Sequence, residues 1–156
     1  MDENFIVEVC ARLTKAGIAL PEQCVGCSAV EIKELEERFG VLFPQSYIAF
    51  LKAIGRKAGG FFQGTDIFYP EILENRAGAE ELLEEDQSDF RLLQSDFVFA
   101  IHQGYQFMYF NTENSDDPPV SYYAEGKGLT QRRWETFSAY LLSATEDYEK
   151  IAANHS

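Results

Sequence analysis

Apolar residues recur at helical spacing near the start of the chain, where Ile6, Val9, Cys10 and Leu13 share one face of a helix predicted from Asn4 to Lys15. After a loop around Leu20-Pro21 and Gly26, Ser28 and Glu31 have the spacing of a capping box that opens a second helix. Ile32, Leu35 and Phe39 form the apolar face of that helix, and Gly40 can end it in a left-handed conformation. Pro44 fits the first position of a third helix that runs to about Ile54 and buries Tyr47, Phe50, Leu51 and Ile54.

The pattern then changes. Gly55, Gly59, Gly60 and Gly64 punctuate a section in which Phe61-Phe62 and Asp66-Ile67-Phe68-Tyr69 read as short strands, Pro70 starts a helical turn, and Ala79 to Asp86 is helix-prone. Phe97 to His102 and Gln106 to Asn111 are aromatic and β-branched runs separated by Gln103-Gly104-Tyr105, as a hairpin requires. Val120 to Ala124 supplies a third strand, with a turn at Gly126-Lys127-Gly128. A last helix led by Trp134 carries Phe137, Tyr140, Leu141, Ala144 and Tyr148 on one stripe. N-terminal helices followed by strands and a C-terminal helix predict an α+β fold, an antiparallel-rich sheet packed against helices.

The best-punctuated stretch also carries a resemblance. An acidic helix ending in Phe39-Gly40, an apolar residue before Pro44, and Tyr47-x-x-Phe50-Leu51 resemble the signature of the SUKH superfamily, which contains fungal cell-wall-synthesis regulators and many bacterial toxin-immunity proteins. Pro118-Pro119-Val120 opening a strand and the series Trp134, Phe137, Leu141, Leu142 agree with it. The likeness covers residues 28–150, with the helix and loop of residues 1–27 before it, and departs where the family often has Asn-Gly and this chain has Ile54-Gly55. It implies that Leu35, Phe39, Pro44, Tyr47, Phe50 and Leu51 build the fold and do not touch a partner, and that Gly40, Val120, Trp134, Phe137 and Leu141 are further structural residues of the motif. It also implies a noncatalytic protein-binding module, an immunity protein for a cognate toxin. The alternative is a regulatory or scaffolding domain of the same superfamily, and the short chain without low-complexity arms favours immunity.

Composition narrows the setting. A chain of 156 residues, 46% hydrophobic, can bury roughly two thirds of its unfolded surface, so residues 1–156 are expected to form one domain. No apolar run is long enough to cross a bilayer, and Met1-Asp2-Glu3-Asn4 is acidic where a secretory signal is basic, so a cytoplasmic protein without membrane contact is expected. Thirteen basic against 26 acidic residues give a net charge of −13, which repels a phosphate backbone and disfavours nucleic acid as a direct ligand. The same field speeds encounter with a basic protein, such as a nuclease toxin domain, although solubility alone also accounts for it.

Within that charge, Glu80, Glu81, Glu84, Glu85, Asp86 and Asp89 form a run with no base between Arg76 and Arg91. It reads either as a patch for a basic partner, with Asp116 and Asp117 as a second contribution, or as a solvated helix. Tyr105, Tyr109, Tyr122 and Tyr123 are candidates for one exposed sheet face or its rim, beside carboxylates, while the ordinary role of such rings is to pack in the core or cover the sheet. Arg132 and Arg133 are expected near the start of the last helix, paired with acidic side chains. An enzymatic alternative rests on His102 as a general base, if Asp66 or Asp89 orients it, or on Cys24-Val25-Gly26-Cys27 as a redox pair or half a zinc site. The zinc reading lacks a second closely spaced ligand pair, so no catalytic residue, metal or cofactor is assigned.

Overall fold

In the computed structural model, which describes residues 4–155, the helix-turn-helix signature forms as its residues dictate. Helix α1 spans Asn4–Lys15, α2 Ala29–Phe39 and α3 Gln45–Ile54. Ser28 accepts the Glu31 amide at 3.1 Å while the Glu31 carboxylate accepts the Ser28 amide at 2.8 Å, which satisfies two of the donors a helix start leaves open. Gly40 closes α2 at φ 64°, and Pro44 stands one residue before α3 in extended geometry instead of inside its first turn.

Among the described residues, seven strands follow the pattern only in part. A two-residue pair, β1 (Cys24–Val25) with β2 (Lys57–Ala58), ties the first loop to the end of α3. The main sheet is antiparallel in the order β3 (Thr65–Asp66), β4 (Asp96–His102), β5 (Gln106–Asn111), β6 (Val120–Ala124), β7 (Gly128–Trp134). Phe61 and Phe62 are not a strand: both lie buried in a turn, Phe62 at φ 59°. Trp134 ends β7 and does not lead the last helix; α5 (Phe137–Asn154) starts behind a Thr136 cap that accepts the Ala139 amide. The edge strand β7 was hidden because Thr130, Gln131, Arg132 and Arg133 are all exposed and give no alternating apolar signal.

Both faces of the sheet are covered. On the inner face, Phe97, Phe99, Met108, Phe110 and Val120 meet α1, α2, α3 and α5 in one core. Tyr47 sits at its centre, 4.9–5.4 Å by ring centroid from Phe43, Phe97, Phe110 and Phe137. On the outer face, helix α4 (Asn75–Glu85), which follows a helical turn at Glu71–Glu74, presses Ala79, Leu82 and Leu83 onto Val98, Phe107, Tyr109 and Tyr123.

Two substitutions test this packing. A Cβ at Gly26 would run into the Lys52 carbonyl oxygen, so Gly26→Ala is expected to lose about 1–3 kcal/mol in urea unfolding, while Gly60→Ala, with its nearest obstacle at 3.6 Å, stays within about 0.5 kcal/mol. The Tyr47 hydroxyl is buried and has no hydrogen-bond partner among the described residues, so Tyr47→Phe is expected to be neutral or stabilising by up to about 1–2 kcal/mol in the same measurement.

Candidate partner-binding surface

The acidic run acquires its geometry from the way α4 lies on the sheet. Ala79, Leu82 and Leu83 must face inward, so helical spacing places Glu80 and Glu84 along one flank and Glu81 and Glu85 along the other. The two flanks differ electrostatically. Arg76, one turn earlier, donates to Glu80 at 2.6 Å, and Arg91 lines the same side as Glu80 and Glu84. No base lies within the run, but Arg76 at its border, one helical turn before Glu80, compensates this flank. Arg76 also donates to the carbonyls of Leu93 and Asp96 at 2.8 Å, which fastens the loop between α4 and β4.

The other flank stays unbalanced. Glu81 and Glu85 line a groove of about 330 Å³ together with Asp66, Glu71 and Glu74, over a floor that includes Leu82, Ile101 and Phe107. No lysine or arginine lines it. Asn75, 2% exposed, donates to the Asp66 carbonyl at 2.8 Å and so sets the start of α4 against β3. Asp66, Glu71 and Glu74 were not singled out from the sequence as part of this surface. The available signal was the spacing Glu74, Gly78, Glu81, Glu85, which runs along one helical stripe once α4 is begun at Asn75.

The four tyrosines do not share an exposed face. Tyr109 (7% exposed) and Tyr123 (2%) point outward from the sheet but lie under α4 and Phe90, whose ring stacks on Tyr109 at 5.7 Å. Tyr122 points to the inner face and stands edge-on to Trp134 at 6.4 Å. Only Tyr105 is exposed, at the tip of the β4–β5 hairpin, where it meets the His102 ring edge-on at 5.9 Å. Alternation along paired strands separates neighbours such as Tyr122 and Tyr123, and the extra layer formed by α4 removes the outer pair from solvent.

Several candidate carboxylates hold the fold. Asp117 accepts the Ser138 amide at 2.9 Å and its hydroxyl at 2.5 Å, an added cap on α5. Asp116 is exposed, and its carbonyl accepts the Ser46 amide at the start of α3. Asp86 accepts from the Tyr123 hydroxyl and the Gly126 amide, pinning the end of α4 to the β6–β7 turn, whereas Asp89 is exposed. The Tyr123 hydrogen bond, followed by that of Gly126, holds the Asp86 carboxyl below the usual aspartate range.

The enzymatic candidates lie apart from the groove lining. His102 Nδ1 meets Thr65 Oγ1 at 2.8 Å, so a hydroxyl and not Asp66 or Asp89 orients the ring. Burial pushes the Cys27 thiol up to about 11 and raises Cys24 as well, opposite to the shift a reactive thiolate needs. The spacing of this pair serves packing: the Cys27 amide donates to the Leu51 carbonyl at 2.7 Å, and Gly26 gives the loop its close approach to Lys52.

The helices and antiparallel sheet form a layered α+β scaffold with an acidic groove on its surface. Residues 30–141, well over half of the chain, match the family model described as SMI1-KNR4 cell-wall, SUKH_6. The chain belongs to this SUKH family. No curated protein matches it significantly.

The Asp86 contact yields a pH prediction. A carboxyl lowered in the folded state adds stability that is present above its unfolded value, about 3.9, and is lost as pH falls through the lower folded value. Asp86→Asn keeps an acceptor but removes the titration. The melting temperature of the variant is expected to fall less steeply than that of the parent chain below about pH 4, as read by circular dichroism.

Proposed function

We propose that this SUKH-family chain is a noncatalytic binding module that neutralises a basic toxin domain, such as a nuclease, in the cytoplasm. The observation that carries the reading is the groove of Asp66, Glu71, Glu74, Glu81 and Glu85 without a lining cation. Five carboxylates on one concave surface, within a chain of net charge −13, raise the local potential for a cationic partner and repel nucleic acid from the same place. The mechanism is steric and electrostatic: the module occupies the cationic surface with which the toxin would hold its substrate. The family description also carries the words cell-wall, which supports a second reading as a regulatory scaffold that uses the same groove.

Co-expression with basic toxin domains encoded beside the gene separates the two, since only the first reading gives rescue of growth. In stopped-flow association with a rescued toxin at low salt, Glu81→Lys/Glu85→Lys is expected to slow binding by about tenfold or more, and the difference shrinks as ionic strength rises. Glu34→Lys, on exposed α2, changes the net charge but not the groove and is expected to have a much smaller effect. Equal slowing by both changes sinks the assignment of the groove, and an absence of rescue by every neighbouring toxin sinks the function.

A further inference from the structure

The inner face of the sheet changes character toward the His102 end of β4. Under α2 and α3 it is filled by phenylalanines, but farther along α5 the small side chains of Ser143 and Ala144 stand opposite the strands and leave a cleft of about 280 Å³. Phe62, Tyr122, Trp134, Tyr140 and Tyr148 line it, with Asp147 among the lining residues. Trp134 meets Tyr140 at 4.8 Å and 85°, and Tyr122 at 6.4 Å and 90°, while Phe62 lies parallel to Tyr140 at 6.1 Å.

We propose that this cleft is a receptor for an arginine side chain presented by a protein partner. Aromatic faces are the electron-rich surfaces that attract cations, and a cleft built from several of them desolvates the cation while preserving that attraction. Asp147 supplies a full negative charge; it is exposed, and none of the salt bridges among the described residues uses it. No lysine or arginine lines the cleft, and the only other ionisable ring of its wall besides the tyrosines, His102, is held at Nδ1 by Thr65. The size suits one side chain, since pockets for drug-sized ligands run from roughly 300 to 1,000 Å³. A guanidinium is flat and less strongly hydrated than an ammonium, so it stacks on rings at lower cost. The chain itself shows this pairing, with Arg56 over Tyr69 away from the cleft and Arg133, which does not line the cleft, over the wall residue Trp134, each at 4.9 Å.

The inference deepens the proposed function, because it gives the basic partner one anchoring residue, but its test needs no toxin. Trp134 is the sole tryptophan and reports from the cleft wall. Titration of the full chain with N-acetyl-arginine methylamide is expected to change Trp134 fluorescence saturably and to shift its indole signal in NMR. The citrulline analogue, equal in shape but neutral, is expected to do neither. Asp147→Asn, a surface change that preserves shape, is expected to weaken arginine binding by about fivefold.

A citrulline response equal to that of arginine, unchanged affinity in Asp147→Asn, or NMR shifts confined to the carboxylate groove overturns the cleft. Tighter binding of the trimethyl-lysine analogue overturns its assignment to arginine. Neutralisation of a basic domain with no arginine response at Trp134 overturns the cleft and leaves the functional reading intact. An arginine response in a chain that protects against no toxin does the reverse.

Discussion

Tyr47 is the ring on which the separate parts of this fold converge. It comes from the motif helix α3, stacks on Phe50 of its own helix, and touches Phe43 from the preceding turn, Phe97 and Phe110 from two strands, and Phe137 from the last helix. Aromatic contacts of this kind each add about 0.5–1.5 kcal/mol beyond area burial, and here they join segments from residue 43 to residue 137. The Gly40 turn and the Pro44 entry are therefore positioning devices: they fix the angle at which Tyr47 meets the sheet. Burial of its hydroxyl without a described partner is the cost of placing so large a ring there.

With the inner face occupied, the sheet still has an apolar outer face of Val98, Phe107, Tyr109 and Tyr123. Helix α4 covers it, and this duty dictates the charge pattern above. A helix that must turn Ala79, Leu82 and Leu83 downward has two free flanks, and the same glutamate-rich sequence is split between them. Arg76 and Arg91 attend one flank, while Asp66 and the Glu71–Glu74 turn add negative charge to the other. An apparently uniform acidic run thus becomes a compensated side and an uncompensated groove. Asp86, at the end of α4, spends its charge on Tyr123 and Gly126 and so fastens the helix that displays the remaining carboxylates.

How much of this was legible follows from the range of the forces involved. The capping box, the left-handed Gly40, the β4–β5 hairpin and the buried face of α3 are set by residues within a few positions of one another, and periodicity reveals them. Strand β7 was not legible, because an edge strand exposed over Thr130 to Arg133 has no apolar alternation, and its pairing with β6 supplies the order that its own sequence lacks. The tyrosine surface failed for a tertiary reason: whether Tyr109 and Tyr123 see solvent depends on where α4 lands, which no local pattern encodes. Asp117 reads as a loop charge until Ser138, 21 residues later, is brought to it as the start of α5.

The groove and the aromatic cleft occupy opposite faces of the sheet, yet they meet at one edge. Thr65 lines the cleft and its neighbour Asp66 the groove; likewise His102 and Gln106 face the cleft while Ile101 and Phe107 face the groove. Strand alternation produces this division, since consecutive residues of β3, β4 and β5 point to opposite sides. The short edge strand β3 and the hairpin tip with exposed Tyr105 form the ridge between the two surfaces. The proposed basic partner, seated across that ridge, would meet carboxylates on one side and the aromatic wall with Asp147 on the other. In that proposal the long-range field would govern its approach and the cleft its register. Charge and aromatic packing would then act on different steps of one encounter, and association rate and residence time could be changed separately.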